Sequence, residues 1–339
     1  MQCGRHQERV RELIITFFIV AALVTVIAAV KLSTYADVIG ERTSLGGLIV
    51  GTFLLAGATS LPEVTTSLTA VFVGNPDIAV SNVFGSNLFN IFILALMDAV
   101  YRRRQIMQSA DPSQLKTAFL SLALTALMLT AILIPTGIVI LGAGLEMYVL
   151  VLLYAAGMYY LTKTNRGEAP AAETDYNMHA VSLRHAKIGF AAAAVIVFFS
   201  GSILSITGDQ IAASTGISSS FIGTFFIAGA TSLPELVTVL VAIQLANYNL
   251  AIGNILGSNV FNILILVIID AAFRGGAVLA AVHPVTIVTA SAVLLLNLIV
   301  IGAIIAVRRK TFPRLYALPS LLVLLTYFFC SYVIFAYSS

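Results

Sequence analysis

The chain has 339 residues, of which 59% are hydrophobic and only 10% charged, and its mean hydropathy is +1.01. A soluble domain carries about 25% charged residues, so a soluble fold is excluded and the bilayer is the solvent. The formal net charge of +3 says little about partners, because the placement of the basic residues matters more than their sum.

A membrane helix needs about 20 mostly apolar residues. In chain order, apolar runs fall at 13–31, 46–74, 78–100, 117–135 and 138–162. A polar stretch from Lys163 to His185 follows, and then runs at 187–206, 218–246, 248–273, 280–306 and 315–336. The first run follows Arg5, Arg9 and Arg11, as the apolar part of a signal peptide would; the internal repeat described below makes it a retained span instead. Ten spans distribute the loops between two faces. One face holds 14 of the 18 Lys and Arg residues, and the other holds Arg5, Arg9, Arg11 and Arg274. The richer face is expected to be cytoplasmic, which puts both termini outside. The three arginines of the N-terminal tail oppose that assignment, and the larger count prevails. Cys3 lies in a polar tail and Cys330 in the last apolar run; two cysteines make no disulfide framework and no metal-site spacing.

Shifted by 172 residues, the sequence matches itself. GTFLLAGATSLPE (51–63) falls on GTFFIAGATSLPE (223–235), and SNVFGSNLFNI (81–91) on GNILGSNVFNI (253–263). From Gly51 to Asp98 there are 26 identities in 48 ungapped pairs. Each copy holds five spans, an odd number, so the second enters the membrane from the opposite side. The expected fold is an all-α membrane protein of ten transmembrane helices, built as two inverted five-helix repeats with broken second and seventh helices at the core. The expected divisions are 1–166 for the first repeat, 167–184 for a cytoplasmic linker, and 185–339 for the second repeat. Matched residues of the two copies then meet near mid-membrane, and the copies can exchange roles as inner and outer gates.

Glu63 and Glu235 fall near the middle of the second and seventh spans. A charge there costs at least about 2.5–3.5 kcal/mol on insertion scales, and the sequence accepts the cost twice, at equivalent places. The two are read as lining a cation site rather than as structural carboxyls. Thr59 and Ser60 precede Glu63 by four and three residues and share its helix face, as Thr231 and Ser232 share that of Glu235. Pro62 and Pro234 lack an amide proton and free carbonyls about one turn earlier. The candidates are Ala56, Gly57 and Ala58, with Ala228, Gly229 and Ala230; such carbonyls are tolerated in the membrane only where they face protein or a watery cavity.

In the third span Asn82, Ser86 and Asn90 share one face, and Asn254, Ser258 and Asn262 match them in the eighth. Small and amide residues also hold membrane helices together. Ser86, Asn90, Ser258 and Asn262 are read as ligands, and Asn82, Asn87, Asn254 and Asn259 as helix-to-helix hydrogen bonders. Gly85 and Gly257 allow close helix approach. Every candidate ligand atom is oxygen, which disfavours zinc and copper. Calcium takes 6–8 oxygens in flexible geometry, whereas magnesium demands a near-octahedral shell. Two glutamates neutralise one divalent ion, and the same cage can hold several sodium ions.

At these residues the chain resembles the calcium/cation antiporter superfamily, in particular its prokaryotic sodium/calcium exchangers. GATSLPE at 57–63 and 229–235, with the motifs at 81–91 and 253–263, is similar to that family's paired repeats, and the resemblance covers essentially the whole chain. It implies exchange of calcium for several sodium ions across the cell membrane, at sites clustered mid-membrane, with the first and sixth helices sliding across the core. It implies Glu63 and Glu235 as central ligands and hydroxyl or carbonyl oxygens from Thr59, Ser60, Thr231, Ser232, Ser86 and Ser258. Backbone carbonyls of Ala56 and Ala228, with Asn90 and Asn262, complete the set. Many relatives carry an aspartate at the position of Asn262; asparagine here removes a titratable group and weakens the case for potassium dependence and for proton coupling there.

The expected partners are Ca2+ and Na+ as transported ions and the lipid bilayer; no nucleic acid, no cofactor and no enzymatic activity are expected, and the protein is expected to be a monomer. The competing readings are a calcium/proton antiporter using the same glutamates, since a buried carboxyl can hold a proton, and, remotely, an intramembrane acid-dyad enzyme. Asp98 and Asp270 are matched near opposite surfaces and read as cap-like. Asp37 and Asp209 match without an assigned role. His6, His179, His185 and His283 lie in tails or loops.

Overall fold

In the computed structural model the chain is described at residues 2–42, 57–102, 105–164, 182–308 and 317–338. The described chain is almost wholly helical. Its elements in order are α1 (Gln2–Arg42), α2 (Leu61–Phe72), α3 (Pro76–Val100), α4 (Pro112–Leu133), α5 (Leu145–Thr164), α6 (Leu183–Thr215), α7 (Ser219–Thr231), α8 (Leu233–Gln244), α9 (Tyr248–Ala272), α10 (Val285–Arg308) and α11 (Leu318–Ser338). A two-residue antiparallel ribbon, Val139–Ile140 with Ala143–Gly144, precedes α5.

Among the described residues, eight helices are long and apolar enough to cross a bilayer, and α7 with α8, bent by 42°, makes a ninth. The protein is therefore a multi-pass membrane protein. Of the remaining expected span, 46–74, the part from 46 to 56, with Ala56, lies outside the described residues, as do residues 167–181 of the expected linker, whose last residues, 182–184, instead cap and begin α6.

Local sequence chemistry fixes where the helices start. Asn75 caps α3 by accepting from the Ile78 amide at 3.1 Å, with Pro76 following, and Asn247 caps α9 by accepting from Leu250 at 3.1 Å. Asp111 accepts from Ser113 at 2.7 Å just before Pro112. α6 starts on Ser182, which accepts from His185, and stops on Gly216 at φ +74°, a left-handed residue that glycine adopts without strain.

The two halves repeat each other's contacts with roles exchanged. Asp77, at the start of α3, accepts from the His283 amide, the residue before Pro284. Asn249, 172 residues after Asp77, accepts from the Asp111 amide at 2.7 Å, and Asp111 is 172 residues before His283. Reciprocal contacts of this kind are what a two-fold relation between like surfaces generates.

α3 and α9 form the centre, with 72% and 61% of their apolar windows buried, against 28% for α1 and 33% for α6. α1 and α6 pack along each other beside this centre. Ala28, Ala29, Leu32 and Ala36 meet Ala193 and Val197 in a cluster of their own, which also takes in Ala58, and Thr25 donates to Ser200 at 2.8 Å. Their outward faces carry exposed apolar side chains such as Leu23, Ile27, Val195 and Phe199, as lipid contact requires.

Candidate cation site

The second half of the repeat shows why the glutamates sit at a break. α7 runs into a π-helical stretch, Ile222–Ile227, then four α-helical residues, and stops at Ser232. α8 restarts one residue before Pro234, whose missing amide leaves the carbonyl four residues back, Ala230, without its helical donor. The first half breaks in the same way: Ser60 has φ −90° and ψ 7°, and Ser232 has φ −89° and ψ 3°. Glu63 and Glu235 thus both lie in the first turn of a new helix inside the protein. Ala228 already accepts from the Ser232 amide at 3.0 Å and from the Thr231 hydroxyl at 3.3 Å. The prolines therefore act two residues beyond it.

Tight packing holds the break against α3. A Cβ built on Gly85 would lie 2.5 Å from the Thr224 carbonyl, and one on Gly223 would lie 2.9 Å from the Ile78 carbonyl, so backbone meets backbone there. At Gly257 no described atom falls within 4 Å of such a Cβ. Gly57 faces the ring of Phe261, and Gly229 faces the ring of Phe89, again a pair of equivalent contacts across the halves.

The glutamates are fully buried, and their carboxyls lie within electrostatic reach of each other. The Ser232 hydroxyl donates to Glu63 Oε1 at 3.4 Å, and those of Ser86 and Thr231, 3.5 Å apart, also face that carboxyl. Hydroxyls from α3 and from the break between α7 and α8 thus bring both halves to Glu63. Asn82 ties α3 to α2, donating to Thr66 Oγ1 and Ser67 Oγ, each at 2.9 Å, and to the Glu63 carbonyl at 3.4 Å. Thr59 and Ser258 are buried beside the breaks and on α9.

Several buried atoms have no hydrogen-bond partner among the described residues: Glu63 Oε2, both carboxyl oxygens of Glu235, Ser60 Oγ, Asn90 Oδ1, and both Oδ1 and Nδ2 of Asn262. Buried polar groups are normally satisfied. Other buried hydroxyls and amides, such as Ser121, Ser205, Thr286 and Asn297, are also without partners, but the carboxyl oxygens among these atoms all belong to Glu63 and Glu235. No cluster of three or more Asp, Glu, His or Cys side chains occurs among the described residues, so any charge offered to a cation here comes from the two glutamates.

The matched aspartates lie elsewhere. Asp98 accepts from the Met107 amide at 3.1 Å and from the Ser320 hydroxyl. Asp270 accepts from Val278 at 2.6 Å and Gly144 at 2.8 Å. Both tie the end of a central helix to its following loop. Asp209 accepts from Asn75 Nδ2 at 2.6 Å, and that nitrogen also reaches Ser219 Oγ at 2.8 Å. The Asp37 side chain lies outside the described residues. The roles of Thr66 and Ser67 as Asn82 partners and the close contact at Thr224 had no signal in the motif spacing.

Two buried carboxyls thus stand at matched helix breaks in a helical membrane protein of repeated halves. The sequence profile of the sodium/calcium exchanger protein family matches the chain twice, at residues 13–163 and 185–336. The chain belongs to that family, within the calcium/cation antiporter superfamily, and is a membrane antiporter of calcium and a second cation. CaxA of Alkalimonas amylolytica is 28% identical over 276 residues, which is 79% of this chain and 84% of CaxA. The inner membrane protein YrbG of Escherichia coli K12 is 26% identical over 264 residues, 77% of this chain and 80% of YrbG. Among solved structures, the H+/Ca2+ exchanger CAX superposes with a TM-score of 0.69 at 16% identity, covering 96% of this chain and 90% of that one. The sodium-calcium exchanger NCX_Mj, soaked with Na+ and Sr2+, superposes with a TM-score of 0.58 at 20% identity, covering 94% and 97%. At these identities the likeness is one of fold.

Proposed function

We propose that the protein exchanges Ca2+ for Na+ across the cell membrane by alternating access between two inverted five-helix repeats. The observation that carries the reading is that Glu63 and Glu235 lie wholly buried at equivalent breaks, within electrostatic reach of each other, with the hydroxyls of Ser86, Thr231 and Ser232 facing Glu63. A cation would satisfy the unpartnered oxygens of Glu63, Glu235, Ser60, Asn90 and Asn262. Ser86, Ser258, Thr59, Thr231, Ser232 and the Ala56 carbonyl supply further oxygens for that ion or for sodium ions beside it, and the Ala228 carbonyl joins them by giving up the Thr231 hydroxyl. Two negative charges balance one Ca2+, and the additional charge of several Na+ ions drives it out. The partners in this reading are the two ions and lipid; the protein is a monomer with both termini outside, a cytoplasmic linker at 167–184, no cofactor and no enzymatic role.

Sodium is preferred over protons as the coupling ion because both amide positions, Asn90 and Asn262, lack a titratable group. Purified protein in sealed liposomes tests this. Uptake of radioactive calcium is expected to follow an outward-directed sodium gradient and to persist when a protonophore collapses any pH difference. Uptake that follows the pH gradient and ignores sodium would overturn the coupling and leave a calcium/proton antiporter.

A further inference from the structure

We infer that Asn259 is a positioning residue for cation binding, which fixes the polarity of the Asn90 amide so that its oxygen faces the site. The inference rests on the reading of the site just given.

Asn87 on α3 and Asn259 on α9 are 172 residues apart and so occupy equivalent places. Asn87 Nδ2 donates to the Asn259 carbonyl at 3.0 Å, and Asn259 Nδ2 donates to the Asn87 carbonyl at 3.2 Å. A backbone carbonyl can only accept. Each side chain therefore turns its nitrogen toward the other helix, and its oxygen is left to accept. Asn259 Oδ1 takes a donor, Asn90 Nδ2, at 3.0 Å. With its nitrogen engaged, Asn90 presents its oxygen, which is fully buried and has no hydrogen-bond partner among the described residues. Asn90 lies one helical turn from Ser86, whose hydroxyl faces Glu63. Turned the other way, Asn90 would offer the positive end of its amide to an incoming cation. The polarity of a ligand is thus dictated by a backbone carbonyl two steps away.

The second half holds the same four residue types but not the same bonds. The counterpart contact would join Asn262 Nδ2 to Asn87 Oδ1, and both atoms are without partners among the described residues. The relay is closed at Asn90 and open at Asn262, so Asn90 is the amide with a preset orientation.

If Asn87 and Asn259 served helix packing alone, each variant would lower stability and affinity in proportion, since both side chains bond a carbonyl across the same interface. Calcium titration of the purified full-length protein by calorimetry, with thermal unfolding alongside, separates the two cases. Asn259→Ala and Asn90→Ala are each expected to weaken calcium binding by about tenfold or more, as loss of a ligand's support does. The double variant is expected to be no weaker than Asn90→Ala, because the two act as one unit. Asn87→Ala, which loses one cross-helix bond where Asn259→Ala loses two, is expected to lower the unfolding midpoint while leaving most of the affinity. Equal losses of affinity for Asn87→Ala and Asn259→Ala, or additive losses in the double variant, would overturn the inference.

If Asn259→Ala does not fold, Asn259→Asp decides. It gives up the bond to the Asn87 carbonyl but keeps an oxygen for Asn90, so positioning expects retained binding and packing expects loss. Glu63→Gln serves as the control. Full calcium binding by that variant would remove the site reading and the inference together; loss there with Asn259→Ala unaffected would remove the inference alone.

Discussion

Gly85 lies directly against the carbonyl of Thr224, so close that a Cβ on Gly85 would come within 2.5 Å of the oxygen and 2.9 Å of the Ala228 Cβ. α3 and the π-helical part of α7 touch through their backbones, immediately before the chain breaks at Ser232. Gly85→Ala forces these helices apart at the site. Overpacking of this kind costs about 1–3 kcal/mol, and here the obstructing atoms are backbone and cannot rotate away. The variant is expected to show a lower unfolding midpoint and impaired calcium binding. Gly302→Ala, at an exposed position with open space around its Cβ, is the control and is expected to match the parent.

Glu63→Gln and Glu235→Gln keep the side-chain shape and remove one charge each. In the proposed cycle Ca2+ is balanced by both carboxylates together. Each variant is therefore expected to lose calcium uptake into liposomes by more than about a hundredfold, beyond the 10–100-fold typical of supporting residues. Sodium-driven uptake within a few-fold of the parent in either variant would exclude that glutamate from the pathway.

Asp270 accepts two backbone amides, Val278 and Gly144, with its two oxygens. Asp270→Asn leaves one amide facing an NH2 group, and an unsatisfied buried donor costs about 1–3 kcal/mol. The expected result is a lower unfolding midpoint with unchanged calcium affinity, because neither loop touches the glutamates. A selective loss of affinity would instead tie this end of α9 to the ions.

Asn75 bridges Asp209 on α6 to Ser219 on α7. Asp209→Ala removes the acceptor at one end and leaves the cap of α3 intact, since the cap uses the Asn75 oxygen. Amide hydrogen exchange is expected to accelerate over 205–216 and to stay unchanged over 76–90. Uniform acceleration across both segments would mean that the bridge supports the whole fold rather than the end of α6.

Much of this was legible in the sequence because the gene's repetition is written twice in the same letters. The sequence repeat alone pairs Glu63 with Glu235, and with them the serine, threonine and proline positions of both breaks. It does not give the hydrogen bonds. Asn82 and Asn254 have identical spacing to their glutamates, yet the Asn82 amide nitrogen has three acceptors and that of Asn254 has no partner among the described residues. Spacing tells which helix face a residue occupies, not which end of an amide is turned inward. Two nearly equal motifs can also sit in unequal conformations, a difference that self-alignment erases. The π-helical turn at Ile222–Ile227 escaped for a related reason: it lies where Gly85 and Gly223 bring α3 close, a tertiary contact that local pattern does not contain.

The alanine seam between α1 and α6 has a mechanical meaning. Small side chains make shallow ridges, so moving this couple lengthwise disturbs little interlocking, whereas tilting it would open a gap along its whole edge. Such a surface is compliant in one direction and stiff in the other, the property of a shear joint. The Thr25–Ser200 bond adds a catch at one end of it. The contact with the centre at Ala58, two residues before the Ser60 break, would carry any lengthwise shift to the first-half carboxylate within a single turn of helix.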